Sequence, residues 1–223
     1  MVAQQLSVVI PALNEAGVIR AALEALAPLR VRGHEVIVAD GGSEDGTAQS
    51  AAALCDRVVR AARGRAAQMN AGAAAAGGDA CVFLHADTRL PALADELIFN
   101  SLQTHLWGRF DVEIDSRVWM LKAVAWAMNL RSRLTGIATG DQAIFVRREA
   151  FRGFPEIALM EDIAFSTAMK RLGPPACRRE TVLTSGRRWE SRGVLRTILL
   201  MWRLRLMYFL GARPEALARI YDK

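Results

Sequence analysis

Glu35-Val-Ile-Val-Ala-Asp-Gly-Gly-Ser-Glu-Asp-Gly-Thr47 is a short apolar run that stops at turn-forming residues. Val36, Ile37 and Val38 are β-branched and continuous, the pattern of a strand covered on both faces. Asp40, Gly41, Gly42 and Ser43 then supply a carboxylate, a flexible turn and a helix cap. Leu6-Ser-Val-Val-Ile-Pro-Ala-Leu-Asn-Glu15 has the same form earlier in the chain. Ligands of open parallel sheets bind at the carboxyl ends of the strands. Two strand ends of this kind therefore predict a nucleotide pocket.

Outward from these runs, strands are expected near 6–11, 35–40, 57–60 and 80–85, and helices near 15–27, 46–54, 65–76 and 91–104. This alternation predicts an α/β fold, with a mainly parallel central sheet flanked by helices through right-handed crossovers. Beyond residue 104 the alternation loosens. A strand is expected over 107–113 and a long helix over 116–134, where Trp119, Ala123, Trp126 and Leu130 recur at spacings of three and four. A strand over 143–147 and a helix over 162–172, ended by Gly173-Pro174-Pro175, follow.

At 223 residues the chain is long enough for one sizeable core, and no linker or repeat divides it. Cys55, Cys81 and Cys177 lack CxxC spacing and read as small buried residues of a reducing compartment. The N-terminus has no basic region followed by a long apolar run, which argues against a signal peptide. A cytoplasmic location is expected, with contact at the inner face of the membrane left open.

The net charge is +6, yet residues 170–223 hold 13 Lys and Arg against 4 Asp and Glu. A basic C-terminal segment suits an anionic substrate or a membrane surface, or is a solvated helix face. No RNP motif, zinc-finger spacing or KH-type clamp accompanies it, so no nucleic-acid partner is expected. The apolar stretch 194–210 contains Arg196, Arg203 and Arg205, which argues against a spanning helix. Arg192, Arg196 and Arg203 share a helical face and Arg205 lies nearly opposite. Peripheral membrane contact, a docked core helix and a homodimer helix all fit that pattern.

Phe83-Leu-His-Ala-Asp-Thr88 is a third strand end with a carboxylate. Asp87 is placed there to meet a hard divalent cation, which needs one or two protein carboxylates beside phosphate oxygens; a helix cap before Pro91 is the alternative. His85 is a second ligand, a donor to phosphate or a core histidine. Arg65 opens an alanine-rich helix after Gly64, where a basic group suits a phosphate or a base carbonyl, or merely meets solvent. Asp141, Glu161 and Asp162 are candidate general bases; a capping role competes for the acidic pair at 161–162. Arg187 and Arg188 could neutralise a diphosphate and Trp189 could pack on a sugar or an arginine, against the reading of a basic surface turn.

Together these motifs resemble glycosyltransferase family 2 enzymes of the GT-A fold. The resemblance rests on Pro11-Ala-Leu-Asn-Glu15, Asp40-Gly-Gly-Ser-Glu-Asp-Gly-Thr47, Asp87 and Glu161-Asp162, and runs from Leu6 to about Trp189. Leu84-His-Ala-Asp-Thr88, the stretch 140–148, Met160-Glu-Asp-Ile-Ala-Phe165 and Thr184-Ser-Gly-Arg-Arg-Trp189 are similar to a narrower bacterial group. That group comprises the arsenosugar-biosynthesis or radical-SAM/selenodomain-associated glycosyltransferases.

The resemblance implies that Pro11, Ala12, Asn14 and Glu15 line the nucleotide pocket, that Asp40 binds the base, and that Gly42 and Ser43 border the ribose. Arg65 matches a basic residue near the base or phosphates. Asp87 matches the last acid of a DXD metal motif whose first acid is here His85. Asp162 matches the catalytic base. Arg188 and Trp189 match an RW pair, but Ser185 stands where processive relatives carry glutamine, which argues against polymerisation.

The implied enzyme is a single domain over 1–223. Its nucleotide-binding part spans about 1–104, and its acceptor part with C-terminal helices about 105–223. It would be inverting, with Mg2+ or Mn2+ on a nucleotide diphosphate sugar and a small-molecule or lipid-linked acceptor. A sugar nucleotidyltransferase and a non-catalytic nucleotide-sugar-binding protein are the rivals. The first usually has a glycine-rich basic loop after its first strand, which Pro11-Ala-Leu-Asn-Glu15 lacks.

Overall fold

A computed structural model describes residues 4–221. Four parallel strands form its N-terminal half: β1 (Leu6–Ala12), β2 (Glu35–Asp40), β3 (Arg57–Arg60) and β4 (Ala80–Phe83), in the order β3-β2-β1-β4. The chain winds from β1 out to β3 and then returns to the other side of β1. The strand order thus reverses beside the carboxyl end of β1, the place where such sheets bind ligands.

The sheet then becomes mixed. β7 (Phe145–Arg147) runs antiparallel between β4 and β6 (Trp107–Asp115). β8 (Ala176–Ser185) lies parallel to β6, and the two-residue β5 (Thr88–Arg89) closes the edge antiparallel to β8.

The continuous apolar runs are explained by burial on both faces. Val8, Ile10, Val36 and Val38 face Ile19 and Leu23 of α1 (Ala16–Ala25) and Ile98 and Leu102 of α5 (Ala94–Leu102). Val9, Ile37, Cys81 and Phe83 face Ala66, Met69 and Ala73 of α4 (Arg65–Ala75). The same layer takes Phe165 and Met169 from α7 (Glu161–Lys170).

The expected helix over 15–27 ends early. Pro28 lacks the N–H that a continuing helix needs and instead sits in the first turn of α2 (Ala27–Val31), where that donor is not missed. α3 (Thr47–Ala52) follows the second strand end.

The strand β8 is absent from the sequence expectations. Arg178, Arg179 and Glu180 break its apolar pattern, and Arg178 pairs with Glu180 two residues on, at 2.6 Å. The stripe of α6 (Trp119–Thr135) named above faces outward: Trp119 is 74% and Trp126 66% exposed, while Leu121, Ala125 and Ser132 are buried.

Three helices complete the chain: α8 (Arg187–Arg192), α9 (Val194–Phe209) and α10 (Pro214–Tyr221). α9 and α10 build a small separate core, in which Leu204 and Leu217 meet Met160 and Ile163 at the start of α7. Cys55 and Cys81 are buried, Cys177 is partly exposed, and all three are free thiols. Among the described residues no helix is long and apolar enough to cross a membrane.

α4 lies close on β1 because Gly72 has no side chain: a Cβ there would stand 2.4 Å from Val9 Cγ1. Gly17, in α1, has open space around it. Alanine at either site gains about 1 kcal/mol of helix propensity, but at position 72 overpacking costs about 1–3 kcal/mol. Gly72→Ala should therefore come out at least about 1 kcal/mol less stable than Gly17→Ala in urea denaturation. Equal midpoints and slopes would show that α4 can shift freely on the sheet.

Candidate active site

The pocket begins where β1 and β2 end. Ala12 carbonyl accepts from the Gly41 amide at 2.9 Å and from Gln68 Nε2 at 2.6 Å. Gln68 also donates to the Ala39 carbonyl at 3.3 Å, so a buried side chain of α4 ties the two strand ends together. The following turns are laced to each other. Asn14 N–H donates to Ser43 Oγ, and Asn14 Oδ1 accepts from Glu44 N–H. Glu15 N–H donates to Thr47 Oγ1 and Ala16 N–H to Asp45 Oδ2. The Thr47 hydroxyl, and then the Ala16 amide, hold the Asp45 carboxyl below its ordinary value.

Asp40 is oriented by this lacing. Its Oδ2 accepts the Gly42 and Ser43 amides, both at 3.1 Å, while Oδ1 is buried without a partner among the described residues. A buried carboxylate oxygen with no donor is costly and is ready for an N–H brought by a ligand.

A second group lies across the cleft. Arg65, His85, Gly140, Glu161 and Asp162 line one cavity floored by Phe83, Ile144 and Phe154. Arg65 Nη1 lies 3.3 Å from Glu161 Oε1. Burial pushes the Glu161 carboxyl above its ordinary value; Arg65 opposes this and the Asp162 charge reinforces it. Arg65 is enclosed by protein yet reached by solvent from the cleft. Enclosure works against its charge, and Glu161, Asp141 and Asp162 override it and raise its pKa.

Asp162 is held by backbone donors, Gly140 N–H to Oδ2 at 3.2 Å and Ile163 N–H to Oδ1 at 2.8 Å. His85 Nδ1 lies 3.2 Å from Asp141 Oδ1. Burial raises the Asp141 carboxyl, but the His85 hydrogen bond and the charges of His85, Arg65 and Arg188 outweigh it and hold it at about 2. The other imidazole nitrogen, Nε2, is buried against Gly140, where a Cβ would come within 2.6 Å, and has no partner among the described residues.

The backbone is strained at this site. Asn14, Ala143 and Met160 adopt positive φ of 54°, 45° and 72°. Such conformations in residues other than glycine cluster at functional sites. Here they bracket the first strand end, Asp141 and the 161–162 pair.

The arginines at 187 and 188 part company. Arg187 reaches back to the strand ends, with Nη2 2.8 Å from Glu15 Oε2 and Nε 3.9 Å from Asp87 Oδ2. Arg188 Nη1 instead donates to the Tyr221 hydroxyl at 3.4 Å. Trp189 packs against the core on the α1 and α5 side of the sheet.

Asp87 is therefore grouped with Glu15 and Arg187, whereas His85 is grouped with Asp141. Among the described residues no three His, Cys, Asp or Glu converge as a protein-only metal site. Asp87, 24% exposed and near one arginine, does fit a cation completed by phosphate oxygens and water.

Pro11, Ala12, Asn14, Glu15, Asp40, Gly42 and Ser43 all lie on the two laced strand ends. Gln68 escaped the sequence reading, although its spacing from Arg65 and Gly72 puts it on the sheet-facing side of α4. Its polarity on a buried face was the signal.

Sheet order and strand-end pocket define a GT-A-type nucleotide-sugar transferase fold. A family model described as glycosyl transferase family 2 matches residues 7–157. The chain belongs to that family and is a glycosyltransferase.

Glucosyl-3-phosphoglycerate synthase from Mycobacterium tuberculosis, in complex with Mn2+, UDP and phosphoglyceric acid, is 26% identical. The match covers 80% of this chain and 68% of that chain at a TM-score of 0.59. The same enzyme with Mg2+ and UDP is 25% identical, over 81% and 70%, at 0.59. S. aureus TarS 1–349 in complex with UDP-GlcNAc shares the fold at 17% identity, over 81% of this chain and 58% of that chain, with a TM-score of 0.64. No curated protein sequence matches the chain.

Gln68→Met keeps the length of the side chain and removes the amide that ties β1 to β2. Leaving buried carbonyls short of a donor costs about 1–3 kcal/mol, and a loss of that size is expected in urea denaturation. A variant as stable as the parent would show that the Gly41 amide alone holds the strand ends.

Proposed function

We propose that this chain is an inverting glycosyltransferase that moves a sugar from a UDP-linked donor to an acceptor hydroxyl. One observation carries the reading: the backbone-held carboxylate of Asp162 lines the same cleft as Arg65, beyond strand ends that leave Asp40 Oδ1 without a donor. A uracil imide N–H is the donor that Asp40 lacks. Asn14, Glu15, Gly42 and Ser43 shape the edge of that pocket. UDP in the complexes of the M. tuberculosis enzyme favours the same base.

The sugar diphosphate would run from Asp40 toward Asp87, past Arg65 and Arg187. Asp87 would hold Mg2+ or Mn2+ there, and such a cation, when bound, neutralises charge on the departing diphosphate. His85 has Nδ1 on Asp141 and Nε2 turned against Gly140, so the cation is assigned to Asp87. Arg187 already bridges Glu15 and Asp87 and is placed to turn toward phosphate oxygens.

The acceptor oxygen attacks the anomeric carbon from the face opposite the diphosphate. The bond from that carbon to the phosphate oxygen breaks, the glycosidic bond forms, and the hydroxyl proton passes to Asp162. Glu161 is committed to Arg65 and Asp141 to His85, which leaves Asp162 as the base.

The finer resemblance, to the arsenosugar or selenodomain-associated group, rests on the motifs at 84–88, 140–148, 160–165 and 184–189. A non-catalytic nucleotide-sugar-binding protein would bind UDP and release no sugar, and donor hydrolysis separates it from this reading.

Asp162→Asn should lower sugar transfer about 100-fold or more, a general-base contribution, with UDP-sugar affinity nearly unchanged because the base acts on the acceptor. Transfer at the parent rate would move the base to Asp141 or Glu161. Asp40→Ala should weaken UDP binding by about 1–3 kcal/mol in calorimetry; unchanged affinity removes its base-binding role. UDP binding should strengthen with Mn2+ in the parent and lose most of that gain in Asp87→Asn. Equal affinity in EDTA and in Mn2+ would leave charge neutralisation to Arg65 and Arg187.

A further inference from the structure

Two arginines outside the donor path are set beside Asp162. Leu204 is the fully buried residue of α9, and it packs on Met160 and Ile163, which bracket the 161–162 pair. That docking turns the adjoining Arg205 inward. Arg131 comes from α6. Arg131 and Arg205 line one groove with Trp202, Arg203 and Leu206.

Their guanidiniums are not satisfied by the protein. Among the described residues, Arg131 Nε and Nη2 and Arg205 Nε are buried without a hydrogen-bond partner. Arginine has five donors and no acceptor, so buried idle donors call for an oxyanion. Burial pushes Arg131 down to about 10, with the Arg205 charge acting the same way and Asp162 opposing. Burial likewise lowers Arg205, against Asp162 and Asp141. Two like charges held together out of water, within electrostatic reach of Asp162, are a cost that an incoming anion would relieve.

We propose that Arg131 and Arg205 form the oxyanion subsite of the acceptor, so that the acceptor is a hydroxyl compound bearing a phosphate or a carboxylate. The inference rests on Asp162 as base, since that places the acceptor hydroxyl beside the groove. The donor diphosphate has its own arginine, Arg187, at Glu15 and Asp87. Trp202 and Leu206 give the groove an apolar wall. Exposed Leu199 and Phe209 continue that wall along α9. The anion can therefore arrive on a soluble compound or on a lipid headgroup.

The test uses the full chain with Mg2+ and saturating UDP, so that the donor phosphate positions are filled. Inorganic phosphate and glycerate are titrated by calorimetry. Flotation is measured with phosphatidylcholine vesicles, with and without phosphatidic acid. The parent should bind phosphate or glycerate saturably, or float with phosphatidic acid and not with phosphatidylcholine alone.

The double variant Arg131→Gln with Arg205→Gln should weaken whichever binding is seen at least about tenfold, the scale of a lost charge-assisted contact. Its UDP affinity should stay within twofold of the parent. If that variant fails to fold, Arg131→Lys with Arg205→Lys keeps the charges and loses the planar forks, and a threefold or larger weakening is expected. No saturable binding by the parent in any arm, or equal binding by the variants, overturns the subsite. UDP binding measured alone reads the donor assignment separately, so that its failure is not mistaken for failure of the subsite.

Discussion

The pocket depends on one carbonyl. Ala12 ends β1, and its oxygen takes the Gly41 amide from the neighbouring strand end and the Gln68 amide from α4. Those bonds fix where the chain leaves both strands. The turns beyond can then be laced, Asn14 to Ser43 and Glu44, Glu15 to Thr47, Ala16 to Asp45. Once the second turn is held, its own amides point back at Asp40 Oδ2 and leave Oδ1 with no donor among the described residues. The geometry around Asp40 is thus a consequence of hydrogen bonding at the strand ends and not of apolar packing around a cavity.

The opposite wall is governed by charge. Asp141, Glu161 and Asp162 lie close together, and such a group would protonate or repel if left alone. Arg65 is set among the three and His85 against Asp141. The division of labour follows. A buried carboxylate in an ion pair cannot lose its partner without a large penalty, so Glu161 belongs with Arg65. Asp162 is oriented by amides that stay in place whether or not it carries a proton. That is the environment suited to a group whose charge must change during a reaction.

Most of the N-terminal half was legible in the sequence because its signals are local. Apolar runs mark strands buried on both sides, and the residues that end them also do the lacing. The C-terminal half was less legible. β8 interrupts its apolar pattern with Arg178, Arg179 and Glu180, and its pairing with β6 spans too much sequence for periodicity to reveal. The antiparallel insertion of β7 is a choice of sheet order, which no local pattern encodes. On α6 the tryptophan and leucine stripe points outward, because the helix buries the narrower face of Leu121, Ala125 and Ser132. The pairing of His85 with Asp141 joins residues that no motif links. The direction in which Arg187 and Arg188 turn depends on Tyr221 and Glu15, at opposite ends of the chain.

The basic C-terminal segment looks uniform in composition, but its charges do separate work in the structure. Arg178 is consumed by Glu180 within β8. Arg187 is drawn to the acids at the strand ends. Arg188 and Arg192 reach Tyr221, and the Arg192 guanidinium sits 5.2 Å from the centre of its ring. These contacts hold α10 against α8. α10 in turn contributes Leu217 to the small core that seats Leu204 on Met160 and Ile163. The start of α7, which carries Asp162, is therefore buttressed through a chain of contacts that begins with surface arginines. Arg196 and Arg203 are left exposed on α9, where they can add to the field around the groove. A surplus of positive charge in a sequence says little until each cation is placed. Here the placement divides it among a pair within β8, the acids at the strand ends, helix docking and an open groove.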